Sequence, residues 1–312
     1  MTETGKQHHK NTLLVIAGPT AIGKTKTSII LANHFNAEII SADSRQFYRE
    51  LKIGTAAPSA EELKLAKHHF VGHLSINDYY NVSKYEMEVL DKLEDLFKTR
   101  TLVIMTGGSG LYIDAVCRGI DDLPVIEDAL REKIKNWHQE QGIAFLQEKL
   151  LQLDPEYYEL VDRANPKRLM RAIEVCLATG QTFTSLRKNE PKTRGFNIVK
   201  IGLTRQRAEL FENISHRTEK MIADGLVDEV KSLENFRCLN ALNTVGYKEI
   251  FDFLDSKTTL PQAIENIKTN THRYAKRQLT WFKRDNEIHW FLPEDTDHII
   301  RFVEEKLQKH EM

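Results

Sequence analysis

One octapeptide constrains this chain more than any other stretch. Gly18-Pro19-Thr20-Ala21-Ile22-Gly23-Lys24-Thr25 satisfies G-x-x-x-x-G-K-[ST] in full. It follows Thr12–Ala17, a short apolar run of strand character, and opens a helical stretch at about 24–34. Strand, glycine loop and helix is the setting in which this pattern cradles phosphate. The glycines let backbone N–H groups curl round the oxygens, and the helix N-terminus adds positive potential. Lys24 supplies a point charge for the terminal phosphate, and Thr25 a hydroxyl for Mg2+. The loop names the ligand's phosphates and leaves the reaction open. Enzymes that bind or hydrolyse ATP, kinases and transferases with a diphosphate leaving group all use it.

The surrounding pattern shows what kind of sheet carries the loop. Residues 37–42 (AEIISA) and 101–105 are two further apolar runs, the second closed by Thr106-Gly107-Gly108. Helical patterns at 59–68 and 83–98 lie between them. Apolar strands alternating with helices predict a parallel sheet. The texture changes after Asp121. From there to about Lys188 the periodicity is helical, with helices at 127–141, 143–151, 155–162 and 166–179, the last stopped by Gly180. A strand returns at 196–203 (FNIVKIGL), followed by helices at 205–223, 226–236, 246–254, 260–284 and 298–309. The expected fold is α/β: a P-loop NTPase-like parallel sheet flanked by helices, formed by 1–119 and 196–312. An all-helical insertion domain at 120–195 interrupts it.

The chain has 312 residues, 41% hydrophobic and 29% charged, enough to bury a real core. Its longest apolar runs are far too short to span a bilayer, and no basic-then-apolar segment opens it. We expect a cytoplasmic monomer with no membrane association. Cys117, Cys176 and Cys238 are odd in number, widely spaced and free of any CxxC, so buried free thiols are expected. Net charge is −1, yet the charges are segregated. Residues 163–207 hold eleven Lys or Arg against two acids, and 268–284 hold six against none. Residues 121–162 run the other way, eleven acids against four bases. A neutral total therefore hides basic faces of the kind that meet polyanions.

Asp43, followed by Ser44, Arg45 and Gln46, comes immediately after the second strand. In an open parallel sheet the carboxyl ends of adjacent strands share the ligand crevice, which puts Asp43 near the phosphate loop. A carboxylate there can hold Mg2+, act as a base or cap a helix. Ile53-Gly54-Thr55-Ala56 makes a turn that can face the same crevice.

Seven blocks in order carry a resemblance. They are the phosphate loop with Pro-Thr-Ala inside it, Asp43–Gln46 with Ile53–Ala56, and Gly107-Gly108-Ser109-Gly110-Leu111-Tyr112. Asn165-Pro166-Lys167-Arg168-Leu169-Met170-Arg171-Ala172 follows, then Arg217 with Met221 and Gly225-Leu226-Val227-Asp228-Glu229-Val230. Val245-Gly246-Tyr247-Lys248-Glu249 and Arg273-Tyr274-Ala275-Lys276-Arg277-Gln278-Leu279-Thr280-Trp281 complete the set. From about residue 13 to 284 the chain resembles the tRNA dimethylallyltransferases, also called tRNA isopentenyltransferases. Without a zinc-finger Cys/His cluster after the last helix, it is similar to the bacterial form. The resemblance implies transfer of a dimethylallyl group from dimethylallyl diphosphate to N6 of the adenosine 3′ of the anticodon. The phosphate loop would hold the donor's diphosphate, and Asp43 would take the proton from the adenine amine. Thr20 and Arg217 would act on the departing diphosphate beside Lys24, Thr25 and Mg2+. RNA contacts are implied for Asp43–Gln46, for Ser109, for a position near Arg131, and for Lys167, Arg168, Leu169, Met170 and Arg171. Ile22, Ser109 and His272 depart from the commonest family pattern, and none of the three removes a charge from the inferred centre.

The residues support this independently. Breaking an allylic C–O bond puts negative charge on diphosphate, which fixed donors and a metal stabilise. The delocalised adenine amine is a poor nucleophile and gains from a carboxylate base. Lys167 and Arg171 share a helix face near an N-terminus, where cations oppose the macrodipole. Arg273, Lys276 and Arg277 interleave with Tyr274, Trp281 and Phe282, a mixture that clamps phosphates and stacks bases. A P-loop small-molecule kinase explains the loop and Asp43 but not these basic segments. A transferase acting on free adenine nucleotides needs no large basic surface. A non-catalytic RNA-binding module with a relic loop would not need Lys24, Thr25 and Asp43 intact.

Overall fold

The computed structural model describes residues 11–188 and 190–311. In chain order, β1 (Thr12–Ala17) leads through the phosphate loop into α1 (Lys24–Phe35), then β2 (Ile39–Ser41), α2 (Ala60–Leu65), β3 (His68–His69), α3 (Val82–Phe97), β4 (Leu102–Gly107) and α4 (Gly110–Arg118). A run of helices follows: α5 (Asp128–Leu153), α6 (Pro155–Leu160), α7 (Pro166–Thr179) and α8 (Phe183–Leu186). The chain then returns through β5 (Asn197–Leu203), α9 (Arg207–Ala223), α10 (Leu226–Ser232), α11 (Tyr247–Leu254), α12 (Leu260–Phe282), β6 (His289–Phe291) and α13 (Thr296–Glu311). It divides into two compact units, one comprising the chain up to Arg118 and from Thr193 onward, the other Gly119–Lys192.

In the first unit the six strands lie in the order β3-β2-β4-β1-β5-β6, every described pairing parallel. The expected parallel α/β sheet is what forms. The central strands β1 and β4 are near-continuous apolar runs because helices cover both faces. Alternate β1 residues feed opposite layers. Leu14 and Ile16 pack with Leu31, Leu210 and Ile299, while Leu13, Val15 and Ala17 pack with Tyr85, Val89 and Ile113. On α3, Tyr85, Val89, Leu93 and Leu96 are buried at three- and four-residue spacing, each worth about 1.5–3 kcal/mol on burial. Register levels the carboxyl ends of the central strands. Ala17 faces Gly107 and Gly202, and Ser41 faces Thr106.

Short elements depart from the sequence expectation. β3 and β6 contain two and three residues, too few to show a period. The helix expected over 59–68 is α2 alone, because Ser59 and Glu62 form a reciprocal capping box and Ala66 turns extended before β3. α4 begins at Gly110, a weak helix former, and the sequence reading gave no helix there. Cys117 and Cys176 are buried as expected, whereas Cys238 is exposed, lying in the irregular segment after α10.

In the second unit, α5 and α7 pack through Ile134, Leu146, Leu169, Ala172 and Ile173. Gly142 (φ 75°) breaks α5 where the sequence separated two helices. Buried Asp154 accepts from Tyr157 N–H (2.9 Å) and Thr184 N–H (2.8 Å), tying α6 to α8. Asn165 caps α7, Pro166 stands at its first turn, and Gly180 (φ 70°) ends it.

Candidate active site

β1 ends at Ala17, and the chain must reverse at once to start α1. Gly18 (φ 154°) and Gly23 (φ 104°) take backbone angles that side chains disfavour, and Ala21 (φ 61°) sits between them. A Cβ on Gly18 would lie 3.0 Å from the Leu203 carbonyl oxygen. Ile22 anchors the loop from below and is 1% exposed. Lys24 turns back under the loop, donating to the carbonyls of Gly18 (3.0 Å) and Pro19 (2.8 Å). Burial pulls its pKa down to about 8, with Asp43 opposing that shift and Arg217 adding to it.

Arg217, on α9, reaches the loop from the side. Its Nη1 donates to Thr20 Oγ1 at 2.8 Å. Loss of water lowers its pKa, and the Asp43 charge pulls the other way. Thr20 is fixed from α12 as well. Its N–H donates to Gln278 Oε1 (2.8 Å), while Gln278 Nε2 donates to the Gly108 carbonyl (2.9 Å). One buried amide thus links the phosphate loop to the end of β4. Neither Gly107 nor Gly108 has room for a side chain. A Cβ on Gly107 would lie 2.3 Å from the Ala42 carbonyl oxygen, and one on Gly108 would lie 2.1 Å from Gln278 Nε2.

Asp43 follows β2, and its Oδ1 accepts from Arg45 N–H (3.1 Å). Ser109 Oγ accepts from Ser44 N–H (3.1 Å), locking this segment to the β4 loop. Arg45 donates to the carbonyls of Asn240 (2.8 Å) and Ala241 (3.2 Å). Gln46 donates to the carbonyls of Thr55 (3.2 Å) and Ala56 (3.1 Å). These side chains, which the sequence placed toward RNA, shape the Asp43 segment from within.

Two cavities meet at these residues. One, of about 1080 Å³, is lined by the phosphate loop from Thr20 through Thr25. The other, of about 550 Å³, is lined by Arg45, Val245, Lys248, Arg273, Tyr274 and Arg277 among others. Thr20, Asp43, Thr55, Arg217 and Met221 border both. Burial pushes the Tyr274 phenol up to about 12, and Asp43 adds to that rise. Lys276 is exposed on the same helix, and the Arg277 guanidinium lies 5.8 Å from the Tyr274 ring centroid.

The sequence assigned Tyr274 a part in base stacking but no role to Gln278. A signal existed for Gln278, a polar residue in register with Ala275 and Phe282 on the packing face of α12. In the second unit Lys167 and Arg168 are exposed at the start of α7, Arg171 pairs with Glu174 (3.4 Å), and Arg131 with Asp128 (3.4 Å). Met170 is partly buried. Leu169, expected among the RNA contacts, is fully buried in this unit's core because its position falls on the apolar stripe of α7. Among the described residues no group of three or more His, Cys, Asp or Glu is placed to hold a metal, and no helix is long and apolar enough to cross a membrane.

The IPP transferase family profile matches residues 46–285. The chain is 49% identical to tRNA dimethylallyltransferase 1 of Bacteroides thetaiotaomicron, over 94% of this chain and 95% of that protein. Its fold is similar to the crystal structure of a tRNA isopentenylpyrophosphate transferase from Bacillus halodurans, with TM-score 0.72 and 33% identity over 96% and 98% of the two chains. A eukaryotic dimethylallyltransferase acting on tRNA superposes with TM-score 0.74 at 25% identity, over 90% of this chain and 73% of that one. With a family match over most of its length and relatives near half identical, the chain belongs to the IPP transferase family.

Proposed function

We propose that this protein transfers a dimethylallyl group from dimethylallyl diphosphate to N6 of the adenosine 3′ of the anticodon in tRNA, releasing diphosphate. The observation that carries this reading is the position of Asp43. It stands on the wall shared by a phosphate-loop cavity and a second cavity bordered by Arg45, Tyr274 and Arg277. The donor's diphosphate lies against the loop N–H groups, with Lys24, Thr20 and Arg217 around it. The adenine enters from the second cavity, so its amine meets the allyl carbon beside Asp43.

The allylic C–O bond breaks with its electron pair leaving on diphosphate. Lys24 and the Arg217–Thr20 pair stabilise that charge from fixed positions. The N6 lone pair forms the new C–N bond, and the N6 proton passes to Asp43. The Thr25 hydroxyl opens α1 beside Lys24 and, together with diphosphate oxygens, makes an all-oxygen donor set that suits Mg2+. Bound there, the ion would neutralise leaving-group charge. Arg273, Lys276 and Arg277 in the first unit, and Lys167, Arg168 and Arg171 in the second, would meet RNA phosphates. We further take the enzyme to be cytoplasmic and to work as a monomer.

The test is direct. Purified protein, Mg2+, dimethylallyl diphosphate and unmodified tRNA bearing that adenosine are incubated, and the digested RNA is weighed by mass spectrometry. A C5H8 increment on that nucleoside, absent with Asp43→Ala, is expected. Unchanged RNA together with consumption of ATP on a small-molecule acceptor would overturn the reading in favour of a kinase.

A further inference from the structure

We infer that Glu229 is a positioning residue for Asp43, acting at a distance through the 52–56 turn and Gln46. The inference rests on the proposed role of Asp43 as base. Glu229 stands on α10 and is not among the residues bordering either cavity. Its carboxylate nevertheless accepts from three consecutive backbone N–H groups, those of Lys52 (3.0 Å), Ile53 (2.8 Å) and Gly54 (3.0 Å). Tyr247 OH donates to the same carboxylate at 2.7 Å. Ionised acceptors make short, strong hydrogen bonds, and three in a row fix a turn that has no helix or strand of its own.

The turn is pressed into place from below. Gly54 lies so close to Tyr247 that a Cβ there would come within 2.5 Å of the ring carbon Cε2. Tyr247 is fully buried among Leu226, Val230 and Ile250, so the ring is a fixed floor.

A chain of hydrogen bonds continues from the turn to the active site. The carbonyls of Thr55 and Ala56 both accept from Gln46 Nε2. Gln46 Oε1 accepts from Ser41 Oγ (3.4 Å), and Ser41 Oγ accepts from Asp43 N–H (3.4 Å). Thr55 itself borders both cavities. Releasing the turn at Glu229 frees Gln46, and with it the segment that aims the Asp43 carboxylate. The acid at 229 thus acts on the reaction through geometry, with no contact to either substrate.

The test is a double-mutant cycle with Glu229→Gln and Gln46→Met on the full-length protein, read as steady-state kinetics on tRNA and dimethylallyl diphosphate. Glu229→Gln keeps the shape but leaves an NH2 group facing backbone donors. A misplacement of about 1 Å costs up to about 10²-fold in rate. A kcat loss of about ten- to hundredfold is therefore expected, with KM for dimethylallyl diphosphate within about twofold of the parent. Because both residues serve one chain, the double variant should be no slower than the slower single. Tyr247→Phe, which removes one hydroxyl contact and keeps the ring, gives a smaller loss in kcat alone and covers the case in which Glu229→Gln folds poorly. Losses that multiply in the double variant, or an unchanged kcat in both Glu229→Gln and Tyr247→Phe, overturn the inference. Asp43→Asn is run alongside. If it stays fully active the base assignment falls, whereas multiplied losses beside an inactive Asp43→Asn overturn only the tether.

Discussion

Replacing Gln278 by leucine removes two hydrogen bonds at once, and their environments differ enough to set the size of the effect. The Gly108 carbonyl is buried and accepts from Gln278 Nε2, so leaving it unpaired costs about 1–3 kcal/mol. The Thr20 N–H lies on a cavity wall that water can reach, so its loss costs less, about 0.5–1.5 kcal/mol. The sum, about 1.5–4.5 kcal/mol, is a large part of the 5–15 kcal/mol typical of folded domains. Turnover should fall too, because Thr20 loses the anchor that holds its hydroxyl against Arg217. Gln278→Glu separates the two bonds. Its carboxylate still accepts from Thr20 N–H, but its other oxygen faces the Gly108 carbonyl where a donor is required. Only the protonated acid restores that donor, so the folded pKa rises above the unfolded value of about 4.3. Stability from the protonated form is complete below the unfolded pKa and is lost as pH rises through the folded one. Urea titrations at pH 4 and pH 8 should show Gln278→Glu near the parent at the lower pH and at or below the leucine variant at the higher. A leucine variant with parental urea midpoint and kcat, or a glutamate variant with the same deficit at both pH values, would refute the reasoning.

Arg217→Lys replaces a planar fork by a point charge and loses the Thr20 contact. Its kcat/KM for dimethylallyl diphosphate should drop about 10²–10³-fold with an unchanged folding midpoint, read by steady-state kinetics. Lys24 titrates near pH 8, below its ordinary range, so it is charged at pH 7 and neutral at pH 9. With divalent metal chelated, inorganic diphosphate should bind more weakly by calorimetry as pH rises between those values, and Lys24→Met should flatten the trend. The same depressed pKa means that ionised Lys24 destabilises the fold below pH 8, a cost relieved as pH rises toward its unfolded value. Reversing Lys167 and Arg168 to glutamate should raise KM for tRNA and flatten its salt dependence by about one to two charges' worth, leaving KM for dimethylallyl diphosphate unchanged.

What the sequence disclosed and what it withheld follow one physical line. The phosphate loop, Asp43 and the parallel sheet were legible because each rests on local constraints. A glycine loop between strand and helix has one sensible geometry, and buried strands advertise themselves as apolar runs. Gln278, Glu229 and Tyr247 were opaque because their partners lie far along the chain, from 258 residues for Gln278 and Thr20 to 18 for Tyr247 and Glu229. Gln46 and Arg45 show the same difficulty from the other side. The sequence read both as RNA contacts beside Asp43, and in the structure the backbone carbonyls of Thr55, Ala56, Asn240 and Ala241 hold their side chains. Leu169, also expected among the RNA contacts, is buried for a simpler reason, since a basic stretch on an amphipathic helix still has to bury its apolar stripe.

Helix α12 brings these threads together. Ala263, Ile267, Ala275, Gln278 and Phe282 form its buried face, and Gln278 there holds the phosphate loop. Arg273, Lys276 and Arg277 stand exposed on the same helix, with Tyr274 between them against the second cavity. On the proposed reading, the donor's diphosphate and the RNA backbone are therefore gripped from two sides of one rod. A rod of 23 residues with a packed face moves as a unit, so its two sides stay in register. The separation also has a chemical consequence. Charge removed from the exposed side weakens capture of the polyanion, which appears in KM for tRNA and its salt dependence. Polarity removed from the buried side loosens Thr20 and Arg217 around the leaving group, which appears in kcat. Tyr274 and Gln278, four positions apart, share one edge of that helix, so on the proposed reading the binding of RNA and the stabilisation of the departing diphosphate meet there.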